Sequence, residues 1–308
     1  MSINLLLKQY LDYLEIEKNR SKKTQENYAR YLKVFFNEMK IQSPYGVTEN
    51  AIRDFRLSLA KKNLKKNTQS YYVIAIRNFL KFLLKRKIKV LSPEMIELPK
   101  VTRRDIETLD YGEMERLLKA PQGNDLRSLR DKAILETLFS TGLRVSEICA
   151  LNRYLDLNRG EISVRGKGDK LRVVFLSDGT KSAVKEYLNK RTDMEEALFV
   201  SLSKSSNSKS TTYNLKPKTS NTIGRIIPRA VQRLVDYYSR KAGIQKKVHP
   251  HQLRHSFATD LLINGADMRS VQELLGHANI ATTQVYTHLT NKELREVHSA
   301  FHARRRNK

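Results

Sequence analysis

The apolar residues of the first ninety positions recur at helical spacing. Their four sets are Ile3, Leu6, Leu7, Tyr10, Leu11 and Leu14; Tyr28, Tyr31, Leu32, Phe35 and Phe36; Ile52, Phe55 and Leu59; and Tyr72, Ile76, Leu80, Leu83 and Leu84. Thr48 and Asn67 precede the third and fourth sets, and both residue types favour the N-cap of a helix. Four helices with no strand pattern between them predict a small helical bundle over residues 1–91.

The polar faces of this predicted bundle are rich in lysine, namely Lys61, Lys62, Lys65, Lys66, Lys81, Lys85 and Lys87. A run of like charge is ordinarily a solvated surface. The whole chain, however, carries 58 Lys plus Arg against 32 Asp plus Glu, a net charge of +26. That excess favours a polyanionic partner, and we predict that Lys65 and Lys66 contact DNA phosphates.

Composition excludes several other classes of protein. A length of 308 residues suits two domains, and 40% hydrophobic with 29% charged residues is typical of a soluble globular chain. No apolar run approaches the roughly 20 residues of a membrane span, and the first residues lack a signal-peptide pattern. The single Cys149 leaves no intramolecular disulfide or cysteine zinc site. We therefore predict a cytoplasmic, nucleoid-associated protein without membrane insertion, and nucleic acid rather than anionic lipid as the polyanion.

A second domain follows a linker that spans residues 92–107. Pro93 and Pro99 mark the linker, which also carries Arg103 and Arg104 as predicted DNA contacts. Predicted strands at 161–165 and 170–176 flank a glycine-containing turn, which is typical of a hairpin. Predicted helices lie at 111–120, 129–139, 181–190, 225–242, 252–264, 268–274, 280–286 and 291–301. The polar segment 201–222 is predicted to form a loop or an extended hairpin.

The histidines and glycines do not form a cofactor motif. All seven histidines lie between His249 and His302, but they lack the spacing of a zinc site and no carboxylate cluster accompanies them. The segment from Gly160 through Lys167 is one residue too long for a phosphate-binding P-loop, and Gly168 stands where Ser or Thr is required. We therefore expect neither a metal nor a nucleotide cofactor.

Two arginines lie in sequence contexts that suggest a catalytic or phosphate-binding role. His251 and Arg254 follow Pro250 and share one face of a predicted helix. A guanidinium binds two phosphate oxygens and an imidazole transfers a proton near neutral pH, although a surface ion pair also explains a lone His-x-x-Arg pair. Arg144 lies among apolar residues, where a charge normally has a partner, so a structural salt bridge with Glu147 is its alternative interpretation.

Taken together, five segments resemble the catalytic boxes of the tyrosine recombinase (phage integrase) family, most closely its Xer branch. The segments are Thr141-Gly142-Leu143-Arg144 with Ser146-Glu147; Gly166-Lys167-Gly168; the nine residues from His249 to Phe257; Leu275-Gly276-His277; and the seven from Thr282 to His288. They occur in the order of the family, and the resemblance spans residues 2–301.

The resemblance implies a mainly α-helical protein with two domains in a C-shaped clamp. The first would be a SAM-like core-binding domain over residues 1–91. The second, over 108–303, would be an α+β catalytic domain with a small β-sheet, followed by a basic tail at 304–308. The implied activity is site-specific cleavage and rejoining of DNA strands through a 3′-phosphotyrosyl intermediate, without ATP. Tyr286 would be the nucleophile, and it needs assistance because a phenol with a pKa of about 10 reacts poorly at neutral pH.

The resemblance also assigns roles to the residues around Tyr286. Arg144 and Arg254 would clamp the non-bridging phosphate oxygens. Lys167 would protonate the leaving 5′-oxygen, with Lys170 and Arg172 as rival acids, while His251 would act as general acid or base. His277 would donate a hydrogen bond to the phosphate. Glu147 would orient these groups.

The implied partners are double-stranded DNA with a specific recombination site, a homo- or hetero-tetramer on two sites, and a regulator such as a DNA translocase. The predicted helix 291–301 would pack on its own domain or dock into a neighbouring protomer. The biological role is expected to be Xer-like resolution of chromosome or plasmid dimers. An integrase or resolvase of a mobile element, a topoisomerase-like relaxing enzyme, and a DNA-binding protein without catalysis are the alternatives, and the target sequence is not predicted.

Overall fold

The structure is a computed structural model that describes residues 2–98, 108–166, 171–202 and 222–276. The chain divides into two compact units, Met1–Arg104 and Asp105–Lys308. The first unit contains α1 (Ile3–Ile16), α2 (Lys22–Glu38), α3 (Glu49–Lys61) and α4 (Lys66–Lys85), with short 3-10 turns at Pro44–Gly46 and Pro93–Met95. The predicted helical bundle is therefore confirmed.

The apolar faces predicted from the sequence form the core of this first unit. Tyr10, Phe35, Phe55 and Phe79 are fully buried in one continuous cluster, where their rings pack edge-on or tilted against one another. Aromatic side chains bury large areas, and such ring pairs add about 0.5–1.5 kcal/mol each. Aromatic packing thus holds the helices together and leaves their lysine-rich faces to solvent.

One predicted cap is confirmed and the other is wrong. Thr48 precedes α3, and its Oγ1 accepts the backbone N–H of Ala51 at 3.2 Å. Asn67, by contrast, lies inside the first turn of α4 and does not cap it. The helix begins earlier because the side-chain amide of Gln69 donates a hydrogen bond, at 2.7 Å, to the carbonyl of Leu64, which lies just before the first turn.

The second unit mixes helices with two small antiparallel sheets. Its described helices are α5 (Tyr111–Lys119), α6 (Leu126–Thr141), α7 (Val145–Ala150), α8 (Asp178–Lys190), α9 (Pro228–Lys241), α10 (Pro250–Ile263) and α11 (Met268–Leu275). Its described strands are β1 (Glu161–Arg165), β2 (Leu171–Phe175), β3 (Val200–Leu202) and β4 (Thr222–Arg225). Helix α6 contacts α5, α8, α9 and α10 and is buried on several sides, so it forms the centre of the core.

The two predicted strands of the hairpin are confirmed. β1 pairs with β2 in antiparallel register, with Glu161 opposite Phe175 and Arg165 opposite Leu171. The predicted turn between them lies partly in residues 167–170, outside the described residues. Inward side chains of this sheet, Ile162, Val164 and Val174, join the core.

Other predictions for this unit need correction. The predicted helix 225–242 was wrong at its start, because Arg225 belongs to β4 and the helix begins only at Pro228, whose ring suits the first helical turn. The short helix α7, directly after Arg144, was not predicted. The two ends of the polar segment 201–222 pair as β3 and β4, while residues 203–221 lie outside the described residues.

The predicted helices 280–286 and 291–301 also lie outside the described residues. In the ranges that the structure does describe, none of the helices has the length and apolar character needed to cross a membrane.

Candidate catalytic site

Helix α10 carries two of the predicted site residues on neighbouring turns. It begins at Pro250, and the backbone N–H of His249 donates to Oε1 of Gln252 at 2.7 Å, which closes the first turn. His251 is exposed on this turn, whereas Arg254, one turn later, is only 3% exposed. The same helix therefore exposes the imidazole of His251 to solvent and buries the guanidinium of Arg254.

The buried guanidinium of Arg254 binds backbone carbonyls from two other elements. Its Nη1 donates to the carbonyl of Gly142 at 2.5 Å, and its Nη2 donates to that of Leu275 at 2.5 Å. Gly142 ends α6 with φ of 57°, in the left-handed region that suits glycine. The alternative of a surface ion pair is wrong for Arg254, since its side chain is buried and oriented by the backbone.

Arg144 forms the salt bridge that was its alternative interpretation. Its Nη1 lies 2.8 Å from Oε1 of Glu147, and its backbone N–H donates to Oε2 at 2.8 Å, which starts α7. The Arg144 side chain nevertheless keeps a quarter of its surface exposed. The salt bridge therefore orients this arginine without enclosing it.

The Glu147 carboxylate binds a second arginine, Arg172 on β2. The Arg172 Nη1 donates to Oε1 of Glu147 at 3.0 Å, and its Nη2 donates to Oε2 at 2.7 Å. Burial by itself would raise the pKa of the Glu147 carboxyl, but the hydrogen bonds from Arg172 and Arg144 outweigh it and lower the pKa to about 2. Glu147 is therefore ionised at neutral pH, and one carboxylate holds two guanidinium groups.

Three consecutive carbonyls at the end of α11 each accept a hydrogen bond from a different arginine. Arg172 Nε donates to Leu274 at 3.0 Å, Arg254 Nη2 to Leu275 at 2.5 Å, and Arg144 Nη2 to Gly276 at 3.2 Å. The last carbonyls of a helix lack partners within it and carry its negative dipole end, so they favour cations. We call these three carbonyls and their arginines the arginine collar. His277 follows it directly in the sequence.

The exposed His251 imidazole lies close to this positive charge. Partial desolvation, with the charges of Arg254, Arg144 and to a lesser degree His249, lowers the pKa of His251 below its usual value. The neutral imidazole is therefore favoured near neutral pH, which is the form that can accept a proton. Two guanidinium groups beside a neutral imidazole form a site suited to phosphoryl transfer.

The structure brings together only part of the predicted constellation. Arg144 and Arg254 meet at the end of α11, Glu147 binds Arg144, and His251 lies close enough to both arginines for their charges to lower its pKa. Three further predicted catalytic residues, and two predicted DNA contacts, lie outside the described residues: Lys167, His277, Tyr286, Arg103 and Arg104. The other two predicted DNA contacts, Lys65 and Lys66, are exposed at the start of α4.

Arg172 is the site residue that sequence reasoning missed. The sequence offered it only as a rival to Lys167 for the acid, yet its side chain is 9% exposed and is bound by Glu147 and Leu274. Because an arginine guanidinium does not lose its proton in proteins, and all three nitrogens of Arg172 are bound here, Arg172 is unsuited to act as that acid. Within the described residues, no group of three or more His, Cys, Asp or Glu side chains converges as metal ligands would.

Both units match models of one protein family. The model of the phage integrase family matches residues 107–293, and the model of the phage integrase N-terminal SAM-like domain matches residues 7–87. The chain belongs to the phage integrase family. It is accordingly a site-specific DNA recombinase of the tyrosine type.

Relatives along the whole chain carry Xer names. Tyrosine recombinase XerD of Halalkalibacterium halodurans is 36% identical over 98% of this chain and 99% of its own length. Tyrosine recombinase XerC of Bacillus subtilis is 34% identical over 98% of both chains, and that of Natranaerobius thermophilus is 38% identical over 96% of this chain and 97% of its own.

Solved structures share the fold. The XerA recombinase structure is 31% identical, covers 98% of this chain and 99% of its own, and has a TM-score of 0.50. The structure of the XerH site-specific recombinase bound to a palindromic difH substrate has a TM-score of 0.70 at 22% identity, covering 96% of this chain and 84% of its own. A lambda integrase dimer bound to a core site has a TM-score of 0.70 at 15% identity, covering 93% and 95%.

Proposed function

We propose that this recombinase cuts double-stranded DNA with Tyr286 as the nucleophile. The Tyr286 phenol oxygen attacks the scissile phosphorus, and the bond from phosphorus to the 5′-oxygen breaks. The 3′-phosphate is then joined to the tyrosine, and the released 5′-oxygen takes up a proton. A 5′-hydroxyl of another strand attacks the phosphotyrosyl link to rejoin the DNA. Since each step exchanges one phosphodiester for another, no nucleotide is consumed.

The arginine collar is the observation that carries this proposal. Arg144 lies just before α7 and Arg254 lies on α10, yet both are anchored on adjacent carbonyls at the end of α11. Such anchoring fixes the guanidinium groups before substrate arrives, and donors held in place in this way stabilise the charge that develops in a transition state. We assign the binding of the non-bridging phosphate oxygens to these two arginines.

The remaining roles follow from chemistry and position. His251, whose pKa is lowered by desolvation and the neighbouring arginines, accepts the phenol proton of Tyr286. Lys167 donates the proton to the leaving 5′-oxygen, and His277, next to the collar in sequence, donates a hydrogen bond to the phosphate. Glu147 holds Arg144 in place through its carboxylate.

DNA binding is supported by charge and by structural relatives. The relatives in two solved structures are bound to difH and to a core site. We propose residues 1–91 as the core-binding domain, 92–107 as a linker, 108–303 as the catalytic domain and 304–308 as a basic tail. Lys65, Lys66, Arg103 and Arg104 would contact DNA phosphates, and each lost contact would reduce the salt dependence of binding.

Covalent trapping tests the nucleophile. The wild-type protein, mixed with a nicked recombination site, should accumulate a covalent protein–DNA adduct that survives denaturation. Tyr286→Phe lacks the attacking oxygen and should give none, although it should bind the same DNA. A neighbouring control, Thr287→Ala, changes a hydroxyl without removing the phenol and should retain the adduct. Equal adduct from wild type and Tyr286→Phe would eliminate the nucleophile assignment.

We further propose an Xer-like role in resolving chromosome or plasmid dimers, with four protomers on two sites and a DNA translocase as regulator. The Xer names of the full-length relatives support this role over movement of a mobile element. Sequencing genomic DNA captured through the tyrosine adduct should recover one site near the replication terminus or on a plasmid. Recovery of element ends instead would favour the mobile-element role. Deleting residues after Leu289 should abolish cooperative binding and leave binding to a single site.

A further inference from the structure

Arg172 contacts two parts of the catalytic site that are distant in the sequence. Its two terminal nitrogens bind both oxygens of Glu147 on α7, and its Nε binds the carbonyl of Leu274 on α11. All three donors are within 3.0 Å of their acceptors. Because a guanidinium is planar and rigid, three simultaneous hydrogen bonds set the position of α7 relative to α11.

We propose that Arg172 is a positioning residue that assembles the arginine collar and does not itself touch the DNA phosphate. This inference rests on the proposed function of Arg144 as a phosphate clamp. Arg172 holds Glu147, and Glu147 binds both the guanidinium and the backbone N–H of Arg144. Through Leu274 it also fixes the chain three residues before His277. The Arg172 charge is paired with the Glu147 carboxylate, and all three guanidinium nitrogens are bound within the protein.

The close packing around Gly276 supports a geometric role. This residue ends α11 with φ of 62°, and a Cβ built on it would lie 3.0 Å from Cδ of Arg172. The arginine stem therefore packs directly against the turn whose carbonyl binds Arg144. A shift of either part displaces the other, and displacements near 1 Å can cost about 100-fold in rate.

Two variants of Arg172 distinguish a positioning role from a role in which this arginine only neutralises the charge of Glu147. Arg172→Met removes all three hydrogen bonds and should slow adduct formation about 10-fold or more at saturating DNA, while DNA affinity changes less than about 3-fold. Arg172→Lys keeps a positive charge beside Glu147 but cannot bind both carboxylate oxygens and Leu274 together. The lysine variant should therefore recover thermal stability and remain slow in cleavage. Wild-type cleavage by Arg172→Lys would overturn the proposal.

A double variant keeps the test interpretable if Arg172→Met unfolds. In the variant that combines Arg172→Met with Glu147→Gln, a neutral amide replaces the buried carboxylate that would otherwise have lost its Arg172 partner. The protein should therefore fold and still cleave slowly. Cleavage at the wild-type rate by the folded double variant would also overturn the proposal. As a matched control, Arg159→Met removes an arginine at the start of the same hairpin whose side chain is 72% exposed, and it should cleave at the wild-type rate.

The same assay distinguishes this inference from the proposed function. If wild type forms no adduct, or Tyr286→Phe forms one, the tyrosine mechanism fails whatever Arg172 does. If the tyrosine controls behave as expected and Arg172→Met matches wild type, only the positioning role fails.

Discussion

Ser256 holds both backbone groups of Leu109, although 147 positions separate them in the sequence. The Ser256 Oγ accepts the N–H of Leu109 at 3.0 Å and donates to its carbonyl at 3.4 Å. Lys246 adds a bond from Nζ to the carbonyl of Thr108 at 2.7 Å. Since Ser256 lies two residues after Arg254 on α10, the start of the second unit is attached to the helix that carries this proposed phosphate-binding arginine.

Replacing Ser256 by Ala should therefore destabilise the second unit. The variant leaves a buried N–H of Leu109 without its partner, which costs about 1–3 kcal/mol. Urea unfolding should show a lower midpoint with an unchanged slope. Ser239→Ala is the matched control, because Ser239 is also buried but donates only to the carbonyl of Asp236 in its own helix. Equal losses in the two variants would contradict the special role of Ser256.

Gly142 should not tolerate a side chain. It has φ of 57°, and a Cβ built on it would clash with Cδ1 of Phe257. The left-handed backbone costs about 1–2 kcal/mol for alanine, and overpacking a core adds about 1–3 kcal/mol. Gly142→Ala should lower the free energy of unfolding by roughly the sum of these two costs, about 2–5 kcal/mol. It should also slow cleavage, because the Gly142 carbonyl binds Arg254.

Gly243→Ala isolates the backbone part of this effect. Gly243 has φ of 71° and nothing within 4 Å of a built Cβ, so only the left-handed conformation is penalised. The difference between the two alanine variants in chemical unfolding measures the contacts of the added Cβ at Gly142 with Phe257 and Leu275. If both variants lose the same stability, the contacts with Phe257 and Leu275 contribute nothing.

Most helices of the second unit could be predicted from the spacing of apolar residues and from helix-capping signals. The placement of His251 and Arg254 on one helix could be predicted in the same way. Pro250 at the first turn and the spacing of three residues place both side chains on α10. The same local rules missed α7, because only the contact of Glu147 with the backbone of Arg144 begins that helix. A hydrogen bond between side chain and backbone outweighed the weak helical propensity of a short, β-branched segment.

The role of Arg172 could not be predicted for a different reason. Leu171, Val173 and Phe175 alternate along β2 and would be expected to face the core, which would place Arg172 in solvent. The structure has the opposite arrangement, with the three apolar side chains exposed and Arg172 directed inward. Glu147 and the end of α11 provide the partners that make an inward arginine favourable, and they are distant in the sequence.

Protonation of His255 should make the protein less stable in mild acid. Burial, followed by the charges of His251 and Arg254, lowers the pKa of His255 from 6.5 to about 4. The unfolded chain then binds more protons than the folded one between those values, so the free energy of unfolding falls as the pH drops from about 6.5 to 4.

The variant His255→Gln should show a shallower loss of thermal stability over that pH range. His249→Gln, which changes an exposed histidine beside the start of the same helix, serves as its control and should keep the wild-type slope. A slope for His255→Gln as steep as that of wild type would show that other groups cause the acid sensitivity.

Alanine variants of the two proposed clamp arginines, Arg144 and Arg254, should differ in their effect on stability, although both should slow cleavage. Arg254→Ala leaves the carbonyls of Gly142 and Leu275 without their donor in a buried site, whereas Arg144 keeps a quarter of its side chain exposed. Arg254→Ala should therefore lower the melting temperature more than Arg144→Ala.

Both alanine variants should slow adduct formation by about 100-fold or more, since each removes a donor to the transition state. Arg254→Lys provides the sharper measurement, because it keeps a charge at the site but places its donors on a single nitrogen, which cannot reach both carbonyls as the guanidinium fork does. It should regain part of the melting temperature and little of the cleavage rate at saturating DNA. Near wild-type cleavage by Arg144→Ala or by Arg254→Ala would mean that the arginine concerned stabilises the fold and does not bind the phosphate.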